Sequence, residues 1–320
     1  MISVYKFQKG GVKIGSLNDL GNTSKCWAEC INPTEKEIKD ISEKAKIPIP
    51  ILREVLDKEE RPKIAELENY SLIIVRAPWV EHDVIKTTPL SIFISKNKNN
   101  VVTIALKETA SLQKVRQLVT GNNINLYKES MSYFTYRLLD EIFETYFSIL
   151  DMLEEKIDKI EEKVINNPEK ISAQNIFAVK KTLIFFHNAL TANREVVAAI
   201  EKEYVNHIDK KNIKRFITLY DDVTQLIDME GTYRDILTGI LDIYISSVSN
   251  NLNKVLKTLT IGASFILIPT LISGIYGMNF LFIPEINTQF GQQFGYYFAL
   301  GFMVFSVMLS YLFFKRKGWL

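Results

Sequence analysis

From Thr258 to Phe314 the chain carries a single charged side chain, Glu285, and a long apolar run lies on each side of it. About 20 helical residues cross the ~30 Å hydrocarbon layer of a bilayer. The runs Leu259–Phe282 and Phe294–Phe314 both reach that length, and neither fits inside the core of a soluble domain of this size. The sequence therefore predicts two membrane helices. Pro269 falls within the first. A membrane span tolerates a proline because neighbouring helices and local adjustments re-satisfy the backbone.

The charges around these spans set their direction. Lys254 and Lys257 precede the first, Lys315, Arg316 and Lys317 follow the second, and the connection between them holds no basic residue. Positive residues collect on the cytosolic side, so both ends are expected there. The start, Met1 to Lys6, lacks the pattern of a secretory signal, which keeps the bulk of the chain in the cytosol by this reading. With those five cations and Glu285 set aside, totals of 39 Lys+Arg and 37 Asp+Glu leave the remainder almost balanced. No nucleic-acid surface is expected from such a balance.

Enzyme chemistry finds little to work with. His82, His187 and His207 are isolated from one another, and Gly10, Gly11 and Gly15 are not followed by the Lys-Ser/Thr of a phosphate loop. Cys26 and Cys30 share one side of a strand or one face of a helix without further ligands nearby, so neither a zinc site nor a disulfide is expected.

Upstream of the spans the pattern divides in two. Short β-branched runs at Ser71–Val75, Leu90–Ile94 and Val101–Ala105, bounded by Pro78, Pro89 and the asparagines at 97–100, predict a small sheet. Helical patterns at Thr34–Lys46 and Leu112–Thr120 flank it, giving an α/β domain over residues 1–125. Residues 126–257 read as helical. Asp140–Glu162 has Ile142, Phe143, Phe147, Leu150 and Leu153 at three- and four-residue spacing, and Asn175–Glu203 follows the break at Pro168. A last pattern starts near Asn212, runs through Phe216, Leu219, Val223, Leu226, Ile236 and Leu241, and meets no proline before Pro269. A helix of that length is on the order of 100 Å long, which calls for packing between copies. The remaining segments are a first membrane helix at 258–282, an external loop at 283–293, a second membrane helix at 294–314 and a basic tail at 315–320.

Two helices cannot enclose a pore, so ion passage here requires several copies around one axis. Stepping three and four residues along the first span gives Asn253, Leu256, Thr260, Ala263, Leu267, Thr270, Gly274 and Gly277, a small or weakly polar stripe. The opposite stripe, Ile261, Phe265, Ile268, Ile272 and Ile275, is bulky and apolar. A small stripe suits either a pore wall or close helix packing, and spacing does not separate the two. The second span, with Phe298, Phe302, Phe305, Phe313 and Phe314, has no such face and reads as the outer, lipid-facing helix.

At the outer end of the first span stands Tyr276-Gly277-Met278-Asn279-Phe280. With Tyr244-Ile245-Ser246, Ser249-Asn250, Asn253-Lys254-Val255, Leu259-Thr260, Pro284-Glu285 and the terminal Lys315-Arg316-Lys317-Gly318-Trp319-Leu320, it makes the chain resemble a CorA-type magnesium transporter. Weaker likeness at Arg194-Glu195, Tyr233-Arg234-Asp235, Trp27 and Asn32-Pro33-Thr34 extends this over essentially the whole length.

The resemblance implies a funnel-shaped homopentamer in the lipid bilayer, passive uptake of Mg²⁺ with Co²⁺ or Ni²⁺ also accepted, and a Gly277, Met278, Asn279 signature closing the pore helix. It further implies apolar constrictions at Leu256 and Leu267. Cytosolic Mg²⁺ bound between protomers would hold the channel shut, with Asp221, Asp222, Glu81 and Asp83 as its ligands. The position where relatives commonly present a sensing aspartate is Thr218 in this chain. Asn279 amides and Gly277 carbonyls fit the transported ion physically. Mg²⁺ dehydrates reluctantly, and neutral oxygens hold its water shell without trapping it. Glu285 either concentrates cations at the mouth or is simply solvated. Two rivals stand beside this reading: a membrane-anchored scaffold, which would not need Asn279, and a relative with the same signature that exports zinc. The scarcity of His and Cys weighs mildly against zinc.

Overall fold

The computed structural model describes residues 1–8, 11–20, 25–81, 84–97, 99–121, 128–168, 171–205, 207–278 and 289–320. Asp83, Asn279, Glu285 and most of the connection between the two spans lie outside these residues. The chain forms two compact units, Met1–Leu241 and Asp242–Leu320.

The first unit is built on a seven-stranded sheet. Its strands are β1 (Ile2–Gln8), β2 (Gly11–Ile14), β3 (Lys25–Ile31), β4 (Lys63–Glu66), β5 (Tyr70–Glu81), β6 (Val84–Ser95) and β7 (Asn100–Ala105), in the order β2-β1-β3-β7-β6-β5-β4. Only β3 and β7 run parallel, with Cys26 opposite Asn100 and Ile31 opposite Ala105. Helices α1 (Glu35–Ala45), α2 (Ile49–Glu54) and α3 (Ala110–Thr120) are followed by the long α4 (Met131–Asn166) and α5 (Ala173–Glu201).

The pleat sorts the core into two layers. Cys26, Ala28 and Cys30 of β3 point with Leu72, Ile74, Phe93, Val102 and Ile104 toward Ile38, Ile41 and Leu52 of α1 and α2. The alternate positions face the other helices. Trp27 is fully buried between Tyr5, at 5.0 Å between ring centres, and Phe134 of α4, at 5.1 Å, and its indole Nε1 donates to Thr103 Oγ1 at 3.0 Å. Beside it the buried Glu29 carboxylate takes a forked pair of 2.9 Å bonds from Arg116 of α3, a geometry that gives a buried carboxylate its counter-charge.

The expected α/β domain is present, and its strands are longer and more numerous than the sequence indicated. Pro78 and Pro89, taken as strand ends, lie inside β5 and β6. Arg76 explains why. Its N–H is bonded to Asn193 Oδ1 (2.8 Å), and its carbonyl accepts from Asn193 Nδ2 and Tyr146 Oη (both 2.9 Å). The backbone N–H and carbonyl of Arg76 therefore point away from β6, as does the backbone nitrogen of Pro78 two residues on. Pro89, opposite Arg76, faces the side where β7 has ended at the Leu90–Ala105 pair. Neither proline sits where a ladder N–H is needed.

The helices follow local signals closely. Thr34 caps α1: its hydroxyl accepts from Glu37 N and the Glu37 carboxylate accepts from Thr34 N at 2.8 Å, a reciprocal capping box. Helix α4 starts at Met131, nine residues before the expected start at Asp140, because its first turns bury Phe134 and Leu138 against the sheet rather than advertising a polar face.

Helix α6 (Ile213–Tyr276) runs without interruption through Pro269, and α7 (Gln289–Arg316) follows. The buried face of α6 in the first unit is Phe216, Leu219, Val223, Leu226, Tyr233, Leu237 and Ile240. The expected continuation through Ile236 and Leu241 is off by a residue: Ile236 is exposed and Leu241 only half-buried. The slip arises because the true stripe passes through a carboxylate, Glu230, which is fully buried.

Candidate functional site

The site is best built from the two faces of α6 within the unit Asp242–Leu320. Ile261 and Ile272 are buried, Phe265 is half-buried, and the Phe265 ring meets Phe314 of α7 edge-on at 6.0 Å. Ile261, Phe265 and Ile272 of the bulky stripe are thus turned to α7, while Ile268 and Ile275 are exposed. The opposite stripe is not covered by any described residue of its own chain: Asn253, Leu256, Thr260, Leu267, Thr270, Gly274 and Gly277 are all exposed, and Ala263 is half-exposed. A Cβ at Gly274 would meet nothing within 4 Å. Close packing between α6 and α7 therefore does not explain the small residues.

The hydroxyls of this stripe are already engaged with their own helix. Thr260 Oγ1 donates to the Leu256 carbonyl (2.8 Å) and Thr270 Oγ1 to the Ile266 carbonyl (2.7 Å). Such back-bonding satisfies the donor inside a membrane and leaves the oxygen lone pairs directed outward. Pro269 lacks an N–H, so the Phe265 carbonyl loses its regular helical partner. Leu256 and Leu267, 50% and 64% exposed, project from the same stripe.

At its outer end α6 closes with Gly277 N–H bonded to the Ser273 carbonyl (2.9 Å) and Met278 N–H to the Ile275 carbonyl (3.3 Å). A Cβ at Gly277 would come within 3.1 Å of the Ser273 carbonyl oxygen, tighter than most side chains bear. Met278 is exposed. Asn279, next in the chain, and Glu285 are outside the described residues.

The other end of the unit is tied by the chain's last residues. Gly318, with a positive φ of 67°, ends α7 with its N–H on the Lys315 carbonyl (3.1 Å), while Trp319 N–H reaches the Phe314 carbonyl (2.9 Å). This is a Schellman cap, and its usual apolar contact is present: Trp319 stacks on Phe314 at 5.8 Å. Lys257 of α6 donates to the Gly318 carbonyl (3.0 Å) and lies over the Trp319 ring. The residues Lys315 to Leu320 thus act as a clasp between the two helices, a role invisible in their composition but foreshadowed by a glycine just after the last helical turn.

The acidic residues proposed as regulatory ligands sit in the first unit. Asp221 and Glu81 are exposed, Asp222 is half-buried, and Asp83 is outside the described residues. Burial raises the Asp222 pKa above the ordinary carboxylate value, and the neighbouring charges of Asp140, Glu144 and Asp221 add to it. Among the described residues no group of three or more His, Cys, Asp or Glu converges as a metal ion would need within one chain. Sequence reasoning also passed over Glu230. Its Oε2 meets His187 Nδ1 at 2.7 Å, while among the described residues Oε1 has no hydrogen-bond partner and lies 3.8 Å from Arg234. A carboxylate in the three-four spacing of an apolar stripe was the available signal.

Helices α6 and α7 each contain a window long and apolar enough to cross a membrane, and each window is largely exposed. The model of the family described as "CorA-like Mg2+ transporter protein" matches residues 22–316. The Cobalt/magnesium transport protein CorA of Methanocaldococcus jannaschii is 33% identical over 296 residues, covering 92% of this chain and 91% of that one. The protein of the same name from Thermotoga maritima is 32% identical over 270 residues, covering 84% and 76%. The solved structure described as the complete CorA magnesium transporter from M. jannaschii superimposes with a TM-score of 0.85 at 29% identity, covering 100% of this chain and 99% of that one. A soluble α/β unit, a helix running from it into an apolar span, and a second apolar helix are common to both, and this chain is a membrane protein that belongs to the CorA-like Mg²⁺ transporter family.

Proposed function

We propose that the chain is a passive Mg²⁺ channel in which the Asn253-to-Gly277 stripe of α6 lines a water-filled path between identical subunits. The observation that carries this is the division of α6. Ile261, Phe265 and Ile272 on one face are turned to α7, while the small, weakly polar stripe is left uncovered by the described residues of its own chain. A bare stripe with satisfied hydroxyls and no charge suits hydrated ions passing through, since uncharged oxygens bind a divalent cation weakly enough to let it leave.

The magnesium and cobalt named for the relatives set the ions, with Ni²⁺ a further one the site would accept. Five copies would surround the axis, with residues 258–282 and 294–314 crossing the bilayer, 283–293 outside, and both chain ends in the cytosol. Gly277 carbonyls and Asn279 side-chain amides would hold Mg²⁺ through its first shell of water, whose exchange is slow. Leu256 and Leu267 would form apolar constrictions, and Glu285 would attract cations to the mouth. Cytosolic Mg²⁺ bridging Asp221 or Asp222 of one copy and Glu81 or Asp83 of the next would favour the shut state by binding it better than the open one.

The test is ion flux in liposomes. Wild-type protein is expected to pass Mg²⁺ down its gradient in preference to Zn²⁺, and Asn279→Ala to lower Mg²⁺ flux to that of empty liposomes while the oligomer stays assembled. Unchanged Mg²⁺ flux in that variant would refute the filter, and outward Zn²⁺ movement in preference to Mg²⁺ would favour an exporter of the same family.

A further inference from the structure

Between the inner ends of α6 and α7 lies a groove of about 520 Å³, lined among others by Ser264 and Ile268 of α6 and Leu309, Ser310, Phe314 and Arg316 of α7. Its body is chemically apolar. The two serines donate to their own helices, Ser264 to the Thr260 carbonyl (2.8 Å) and Ser310 to the Ser306 carbonyl (2.9 Å), which leaves Ile268, Leu309 and Phe314 to set the character of the wall. Its mouth is cationic: Arg316 is exposed there, with Lys315 and Lys317 on either side in sequence. From Leu309 to Arg316 the helix rises about 10 Å, so the groove leads from the bilayer surface into the hydrocarbon of one leaflet.

We propose that this groove seats one acyl chain of an anionic phospholipid, with the lipid phosphate on Arg316. The occupant follows from charge. From residue 250 onward the only carboxylate side chain is Glu285, in the connection at the far end of both helices. A transmembrane helix from a second copy would therefore bring no acidic side chain to Arg316, whereas an anionic lipid brings hydrocarbon for the wall and an anion for the mouth. Basic pockets between helices on the cytoplasmic side have this use in general. The inference rests on the membrane placement of α7, and it holds whether or not α6 lines a pore.

The clasp supplies the probe. Of the three tryptophans, Trp27 lies in β3 and Trp79 in β5 of the first unit, while Trp319 stacks on Phe314, a residue of the groove wall. Full-length protein in phosphatidylcholine vesicles is titrated with phosphatidylglycerol or phosphatidylcholine brominated on the acyl chain, and Trp319 quenching is read. Brominated phosphatidylglycerol is expected to quench at about one-fifth the mole fraction that brominated phosphatidylcholine needs, the factor one cation near the surface gives. Arg316→Gln should bring the two curves together, and Ser310→Phe, which fills the groove, should weaken quenching by both lipids. Coincident curves in the wild type, a preference that survives Arg316→Gln, or quenching untouched by Ser310→Phe would each overturn the proposal. Absence of quenching by either lipid would overturn it too, in favour of a second copy's helix in the groove. Mg²⁺ flux from the same vesicles reports on the transport reading separately, since the quenching signal involves no ion movement.

Discussion

In the unit Met1–Leu241 the large side chains Trp27, Phe93, Phe134, Phe186 and Phe216 are sealed from solvent, whereas in Asp242–Leu320 Leu256, Leu267, Phe298 and Phe305 are 50%, 64%, 56% and 57% exposed. The first unit packs its large apolar side chains within itself. Most of its buried polar groups find partners within the chain, as Arg76 does with Asn193 and Tyr146 and Glu29 with Arg116, the exceptions among the described residues being Ser91 Oγ and Glu230 Oε1. The second unit leaves its apolar side chains uncovered by the described residues of its own chain, as helices that cross a membrane do. The same apolar residue type therefore carries different information in the two regions: packing in the first, and the identity of an external neighbour in the second.

The comparison can be broken by truncating one side chain in each unit. Trp27→Ala removes a fully buried ring and strands the Thr103 hydroxyl, and is expected to cost about 3–5 kcal/mol. It should be seen as faster hydrogen exchange of the β3 amides in the full-length protein. Ile266→Ala, at a position 69% exposed in α6, is expected to change stability by under ~0.5 kcal/mol. Equal costs at the two sites would mean that the second unit is packed like the first.

A smaller effect sharpens the point that the first unit leaves one polar cluster unresolved. A carboxyl whose pKa is raised on folding, as burial and then Asp140, Glu144 and Asp221 raise that of Asp222, contributes most below the ordinary carboxylate pKa. The contribution is lost as pH rises through the raised value. In chelator, Asp222→Asn should therefore give a small rise in melting temperature at about pH 7 and none at about pH 3, where both side chains are neutral. Added Mg²⁺ should narrow the difference at neutral pH if the cation settles beside Asp222. A lower melting temperature for the variant in chelator would show instead that the charge is already compensated.

How much of this was legible beforehand follows the same division. The spans, the capped helix after Thr34, and the exposed small-residue stripe of the first span were readable, because each rests on composition or on contacts within a few residues, whereas Ile268 and Ile275 of the expected bulky face are exposed. Strands β1 to β4 escaped notice: β3 is buried on both faces and so does not alternate, and the prolines in β5 and β6 mimic strand ends. The register of α6 beyond Leu226 was lost at Glu230, whose burial depends on His187, distant in sequence. For the site, the exposed stripe was legible as a pattern, while the clasp of Lys257, Gly318 and Trp319 depends on where α7 ends in space.

The central claim is that water reaches one face of α6 and not the other. Thr270→Cys and Ile272→Cys place thiols on the two faces, exposed and 6% exposed respectively. The native thiols give a silent background, since Cys26 and Cys30 are buried and burial pushes them up to about 11 and about 12, far from the reactive thiolate at neutral pH. With a water-soluble thiosulfonate added to reconstituted full-length protein, Thr270→Cys should react and lose Mg²⁺ flux, while Ile272→Cys should stay unmodified and conduct. Faster modification at residue 272, or none at residue 270 with flux intact, would contradict the path along the small-residue face.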